Sequence, residues 1–234
     1  MLLEFSLAFI VTLLVSVGFA ILMIPMLRRF KAEQSIRKDG PVWHNKKQGT
    51  PTMGGFIFII AISLTCFTVG LPKIINGNLG HLFILSFALI FGAIGFYDDY
   101  IKVKNKRNLG LKTYHKFLLQ TAVAVGYLIL LYNTGNLTTS LYIPFVNDAI
   151  PIYKPLYFVF AAFVMVGTVN SVNITDGVDG LAAGVTIPVA ACFSILTWYW
   201  GFTTVGIFSF ALTGALIGFL IFNFHPAKVI MGDT

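Results

Sequence analysis

The sequence predicts an all-α protein, a polytopic bundle of transmembrane helices. Of its 234 residues 57% are hydrophobic and only 11% charged, with a mean hydropathy of +0.84, whereas soluble domains carry about a quarter charged residues. The apolar residues fall in runs near the roughly 20 residues that a helix needs to cross a bilayer, without the strict alternation of a transmembrane barrel. The basic residues, finally, collect in the gaps between runs.

About seven spans can be marked: Leu2 to Leu27, Gly54 to Leu71, Leu82 to Tyr97, Phe117 to Tyr132, Leu156 to Val169, Leu181 to Trp200 and Val205 to Phe222. The third and fifth are short for a full crossing and are expected to borrow residues from their flanks. Pro25 and Pro188 are positions for kinks. The first run lacks a basic start and is followed by Arg28 and Arg29, so it reads as a retained span rather than a cleaved leader. No soluble domain or low-complexity linker interrupts the series, and residues 1–234 are expected to form one membrane-embedded domain.

Charge gives the orientation. Arg28, Arg29, Lys31, Arg37, Lys38, Lys46 and Lys47 follow the first span, and Lys102, Lys104, Lys106, Arg107, Lys112 and Lys116 follow the third. Cytoplasmic loops are the basic ones, so both loops are expected inside and the N-terminus outside. Segments 171–180 and 223–234 then also lie inside. The net charge of +7 is thereby explained by topology and attraction to phosphate or anionic headgroups, and nucleic acid is excluded as a partner. Cys66 and Cys192 lie within apolar runs and offer neither a disulfide framework nor metal-ligand spacing.

The polar stretches with chemical potential, GTPTMGG, YDDY, NSVNITDGVDG and HPAKVIMGDT, all fall on the cytoplasmic face of this scheme. Polar clusters at a membrane edge are costly to keep, which marks them as functional candidates. Asp98 and Asp99 are read at the end of the third span. Neighbours on a helix point about 100° apart, so the two need not hold the same ion: one could bind a metal and the other a substrate, or both could be a solvated helix end. Asn170, Asn173, Asp176 and Asp179 recur every three residues, a stripe that drifts around a regular helix and cannot share one narrow face. The glycines among them suit either a backbone that approaches a ligand or a capped loop. With Asp233, the aspartates form an oxygen-rich set suited to Mg²⁺ rather than a softer metal. Lys47, Thr50 and Thr52, with Lys102, Lys112 and Lys116, could neutralise a diphosphate or simply fix topology. His44, His115 and His225 form no recognisable catalytic arrangement and are expected to be structural.

GTPTMGG, GFYDDYIKVKNKRNLGLKTYHKFLLQ, NSVNITDGVDGLAAG and NFHPAKVIMGD together resemble the phospho-N-acetylmuramoyl-pentapeptide transferase family, of the polyprenyl-phosphate N-acetylhexosamine-1-phosphate transferase superfamily. The resemblance runs from the first loop to the last residue. It implies that undecaprenyl phosphate attacks the sugar-linked phosphate of UDP-N-acetylmuramoyl-pentapeptide, giving lipid I and UMP with Mg²⁺, at the cytoplasmic face of a bacterial inner membrane. By motif, Asp98 and Asp99 match the acidic pair at the lipid phosphate, and Asp233 the metal-binding aspartate. Lys47, Thr52, Asn173, Asp176, Gly177, Val178, Asp179 and Asn223 match positions lining the nucleotide and diphosphate site, and Lys102 and Lys116 match lysines near it. The partners implied are the two substrates, the bilayer and, as a candidate, a second copy of the chain. The family has about ten spans, so the chain is expected to lack a C-terminal part and to be impaired alone. A related UDP-N-acetylglucosamine transferase and a non-catalytic membrane fragment are the alternatives. An ion transporter is disfavoured, because the acidic residues sit at span ends and no internal repeat is present.

Overall fold

The structure is a computed structural model, and it describes residues 1–29, 50–105, 110–143 and 148–233. Eight helices are present among these residues: α1 (Leu2–Arg29), α2 (Gly55–Thr68), α3 (Leu71–Ile75), α4 (Gly80–Lys104), α5 (Thr113–Asn133), α6 (Lys154–Thr175), α7 (Leu181–Tyr199) and α8 (Thr203–Asn223). Six of them, α1 and α4 to α8, are long and apolar enough to cross a membrane, so the chain is a multi-pass membrane protein of the all-α class. The third and fifth expected spans do extend into their flanks, as α4 and α6. The second is short: α2 has 14 residues, about 21 Å at 1.5 Å per residue, and α3 follows it after a two-residue break. Pro25 and Pro188 lie inside unbroken helices.

The chain divides into two compact units, Met1–Leu111 with Asn173–Thr234, and Lys112–Val172. In the first, α8 is the hub and packs against α1, α2, α4 and α7. Its buried face, Gly206, Ser209, Ala211, Thr213, Gly214, Ala215 and Gly218 among larger residues, is built from small side chains. In lipid, helix association depends on close backbone approach and interhelical hydrogen bonds rather than on hydrophobic burial. Both are present. A Cβ at Gly218 would lie 2.9 Å from the Leu13 carbonyl oxygen, and one at Gly214 would run into the Phe9 carbonyl. Ser16 Oγ donates to the Ala215 carbonyl at 2.9 Å, Thr12 Oγ1 to Thr65 Oγ1 at 2.8 Å, and Ser194 and Thr213 meet at 3.2 Å. Phe5 stacks on Phe210, with ring centroids 4.9 Å apart. At the end of this unit where α1 begins, Lys73 pairs with Glu4 at 3.1 Å.

The second unit holds α5, a hairpin and most of α6. The hairpin was not expected from the sequence. Strands β1 (Ser140–Ile143) and β2 (Asp148–Pro151) pair antiparallel with Leu141 opposite Ile150 and Tyr142 opposite Ala149. Asn170 Nδ2 donates to Gln120 Oε1 at 2.7 Å, and Lys154 Nζ lies 3.6 Å from the centroid of the Tyr132 ring, so polar contacts tie α5 and α6 near both ends.

The hub packing makes a selective prediction. Gly218→Ala should lower stability by about 1–3 kcal/mol, the usual cost of forcing atoms into a filled interface. Gly18→Ala, where a Cβ meets nothing within 4 Å, should leave stability unchanged or raise it by about 0.5–1 kcal/mol through helix propensity. Unfolding of the purified protein by titration with sodium dodecyl sulfate measures both.

Candidate active site

The site is built where the end of α4 meets the segments before α2 and after α8. Asp98 and Asp99 do not stand at a helix end, as the sequence had placed them; α4 continues to Lys104 and thereby carries Lys102 one turn beyond them. Both carboxylates are 3% exposed, so they need nearby partners to remain charged.

The pairing of two irregular segments places the third aspartate. Gly54 and Gly55 donate backbone hydrogen bonds to the carbonyls of Ile230 and Met231, both at 2.9 Å, and Ile230 donates to Pro51 at 2.8 Å. Residues 51–55 and 230–231 thus bind one another through their backbones. Met53 takes a positive φ of 68° and Gly232 one of 80°. A non-glycine residue in that region is uncommon and marks a backbone held by its surroundings. Glycine is required at 232 for space as well: a Cβ there would lie 2.6 Å from Asp99 Oδ2 and 3.1 Å from Thr52 Oγ1. Thr52 is therefore packed beside the aspartates, and it is buried.

Asp98, Asp99 and Asp233 each offer an oxygen, and these atoms lie within 4.8 Å of one another. Their surroundings follow one pattern. Asp98 Oδ1 accepts the Leu111 N–H at 2.7 Å, Asp99 Oδ2 accepts the Asp233 N–H at 2.8 Å, and Asp233 Oδ1 accepts Nδ2 of Asn173 at 2.9 Å. The other oxygen of each faces the Lys102 ammonium: Asp98 Oδ2 at 2.6 Å, Asp233 Oδ2 at 2.8 Å and Asp99 Oδ1 at 3.5 Å. Adjacent positions on the helix thus bring both carboxylates to the same ammonium.

The donor set fits a hard cation. Mg²⁺ prefers carboxylate oxygen at octahedral geometry, and three carboxylates already converge on a positive group here. Asp98, Asp99 and Asp233 are the residues that would hold it.

The remaining predicted residues separate into groups. Asp179 and Asn223 form a latch between the 176–180 turn and the segment after α8. Asn223 is 1% exposed; its Oδ1 accepts the Gly180 N–H at 3.1 Å and its Nδ2 donates to the Val229 carbonyl at 2.9 Å. Asp179 Oδ2 accepts the Ala227 N–H at 3.2 Å and lies 3.1 Å from His225 Nδ1. Gly177 and Val178 form the exposed tip of the turn, with Asp176 half-buried beside them. Lys116 lies on α5, in the second unit. Lys47 falls outside the described residues. The stripe of four does diverge: Asn170 is paired with Gln120, whereas Asn173 reaches Asp233. Sequence reasoning missed Gly110, where any Cβ would run into the Asp98 carboxylate, and the Leu111 amide beside it. The one available signal was a glycine in NLGLK, after the basic loop.

Long apolar helices together with three converging carboxylates, two of them buried within α4, define a multi-pass membrane protein with a charged centre. Residues 81–234 match glycosyl transferase family 4, and residues 47–59 match signature 1 of phospho-N-acetylmuramoyl-pentapeptide-transferase. Proteins of that name from Staphylococcus saprophyticus and Staphylococcus carnosus are each 45% identical, over 96% and 97% of this chain and 70% and 69% of their own lengths. One from Caldanaerobacter subterraneus is 46% identical over 90% of this chain and 64% of its own length. The chain belongs to the phospho-N-acetylmuramoyl-pentapeptide-transferase family, and it spans roughly two thirds of the length of these relatives.

The latch yields a stability prediction. Asn223→Ala leaves the Gly180 N–H and the Val229 carbonyl without their partner, and each unsatisfied buried group costs about 1–3 kcal/mol. The variant should unfold at lower denaturant than the parent and be cut faster by protease in the 176–180 turn.

Proposed function

We propose that this chain carries the phosphoryl-transfer centre of an enzyme that moves phospho-N-acetylmuramoyl-pentapeptide from its UDP-linked precursor to undecaprenyl phosphate. An oxygen of the lipid phosphate forms a bond to the sugar-linked phosphorus. The bond from that phosphorus to the bridging oxygen breaks, and UMP leaves with that oxygen. Lipid I and UMP are the products. The observation that carries the reading is the convergence of Asp98, Asp99 and Asp233 in a chain 45% identical to relatives bearing the transferase name. The match of residues 47–59 to the muramoyl-pentapeptide signature favours this substrate over UDP-N-acetylglucosamine.

Phosphoryl transfer depends mainly on charge neutralisation and alignment. Mg²⁺, when bound, supplies the concentrated positive charge for the phosphate oxygens. The protein supplies the rest. Asp98, Asp99 and Asp233 would hold the cation, and their carboxylates are fixed by the Leu111 N–H, the Asp233 N–H and Asn173. A phosphate monoester has a second pKa of about 6 and is largely dianionic at neutral pH, so the lipid phosphate needs no strong base to attack. This favours cation-holding over proton abstraction for the acidic pair. The exposed tip at Gly177 and Val178, steadied by Asp179 and Asn223, is the proposed nucleotide side, with Asp176, Thr52 and Lys47 as further substrate contacts.

The same reading places the site on the cytoplasmic side of a bacterial inner membrane, with the N-terminus outside. In a cysteine-free background, Asn78→Cys should react with a membrane-impermeant maleimide in intact spheroplasts, and Val178→Cys only after permeabilisation. The reverse pattern contradicts the orientation.

Activity is testable in a chimera that joins this chain to the portion of the Staphylococcus saprophyticus relative beyond the match. The chimera should release UMP from the two substrates. Asp98→Asn, Asp99→Asn and Asp233→Asn should each lower the rate on the order of a hundredfold, the scale seen when one preorganised electrostatic group is removed. Near-normal turnover in any of the three removes that residue from the centre. No UMP release, where the relative itself is active, contradicts the assignment.

A further inference from the structure

The geometry points to Lys102 as an internal counterion that a divalent cation displaces, a placeholder for the metal that then becomes a positioning residue for the phosphate substrate. The inference rests on the divalent-cation reading above and adds to it a defined exchange at three atoms.

The division of labour among the carboxylate oxygens is the evidence. One oxygen of each aspartate is held by a neutral N–H donor, and the other faces Lys102 Nζ. The N–H donors fix the carboxylates in place whether or not Lys102 is there. The ammonium occupies the side from which a metal would be ligated. Mg²⁺ binds oxygen at about 2.0–2.1 Å, so an ion ligated by Asp98 Oδ2 and Asp233 Oδ2 from the side they now turn to Lys102 takes the place of the ammonium at 2.6 and 2.8 Å. Three carboxylates turn oxygens toward the Lys102 ammonium, and a divalent ion at that point carries twice its charge. Lys102 also has a way out: its side chain is 29% exposed, against 5% and 4% for those of Asp98 and Asp99.

Two consequences follow from the exchange. Without metal, the ammonium keeps three close carboxylates from repelling one another. With metal, the released ammonium stays tethered on α4 beside the ion, where an entering phosphate meets both charges. The exchange lowers the apparent metal affinity, because only the fraction of molecules with Lys102 withdrawn is competent to bind.

Purified wild-type protein and Lys102→Met, each stripped with chelator, are titrated with Mn²⁺ and the free ion is read by electron paramagnetic resonance. Lys102→Met should bind Mn²⁺ on the order of tenfold more tightly than wild type, because the competing charge is gone. A residue that merely supports the fold would give equal or weaker binding on removal, and that result overturns the inference while leaving the metal site standing. Should neither protein bind Mn²⁺ at millimolar concentration, the metal reading and this inference fall together. If Lys102→Met does not fold, wild type alone decides: labelling of Lys102 by acetic anhydride, quantified by mass spectrometry, should rise severalfold on adding Mn²⁺. Unchanged or reduced labelling overturns the displacement.

Discussion

Three carboxylates within 4.8 Å of one another repel strongly in a poorly hydrated place, and the rest of the site is arranged around holding them there. Coulomb energy between unit charges about 4 Å apart is roughly 1 kcal/mol in water but about 4 kcal/mol at the effective dielectric of a protein. The N–H donors from Leu111, Asp233 and Asn173 and the ammonium of Lys102 offset that repulsion. Each donor reaches the centre from a different part of the chain. The small-residue face of α8 belongs to the same constraint, because it packs the hub against α1, α2, α4 and α7 and fixes where the 224–233 segment starts.

A division of tasks is visible within the first unit. The carboxylate centre joins α4, the 50–55 segment and the last described residues, with Gly232 admitting the close approach. Beside it, Asn223 and Asp179 spend their side chains on backbone N–H and carbonyl groups of the neighbouring segments. These residues hold the 176–180 turn in position and leave Gly177 and Val178 exposed at its tip. Loops are precise only when their bases are fixed, and the latch fixes the base of this turn.

Much of the fold was legible because apolar length is a strong signal: each marked span reappears as a helix. The ends were less legible. α4 runs on to Lys104 and α6 to Thr175, since polar residues such as Asp98, Lys102 and Asn173 are stabilised inside a helix by partners that sequence does not display. The hairpin was missed because its strands of four residues each are largely exposed and carry no alternation of buried and solvated positions. At the site, residue types and order singled out Asp98, Asp99 and Asp233 as candidates, and these three lie together. Their convergence was hidden, because helix geometry alone turns neighbours apart and the meeting point depends on side-chain direction and on Lys102. The split between Asn170 and Asn173 was foreshadowed by the drift of a three-residue stripe. The backbone amides of Leu111 and Asp233 could not be found from residue types at all.

Whether Asp98, Asp99 and Asp233 form a single divalent-cation centre is measured most directly by anomalous diffraction from crystals of the protein grown with Mn²⁺. One strong peak is expected beside Asp98 Oδ2 and Asp233 Oδ2, close to Asp99 Oδ1, with Lys102 Nζ withdrawn from all three. A fully bound metal elsewhere, or these carboxylates still closed around Lys102 at saturating Mn²⁺, would contradict it.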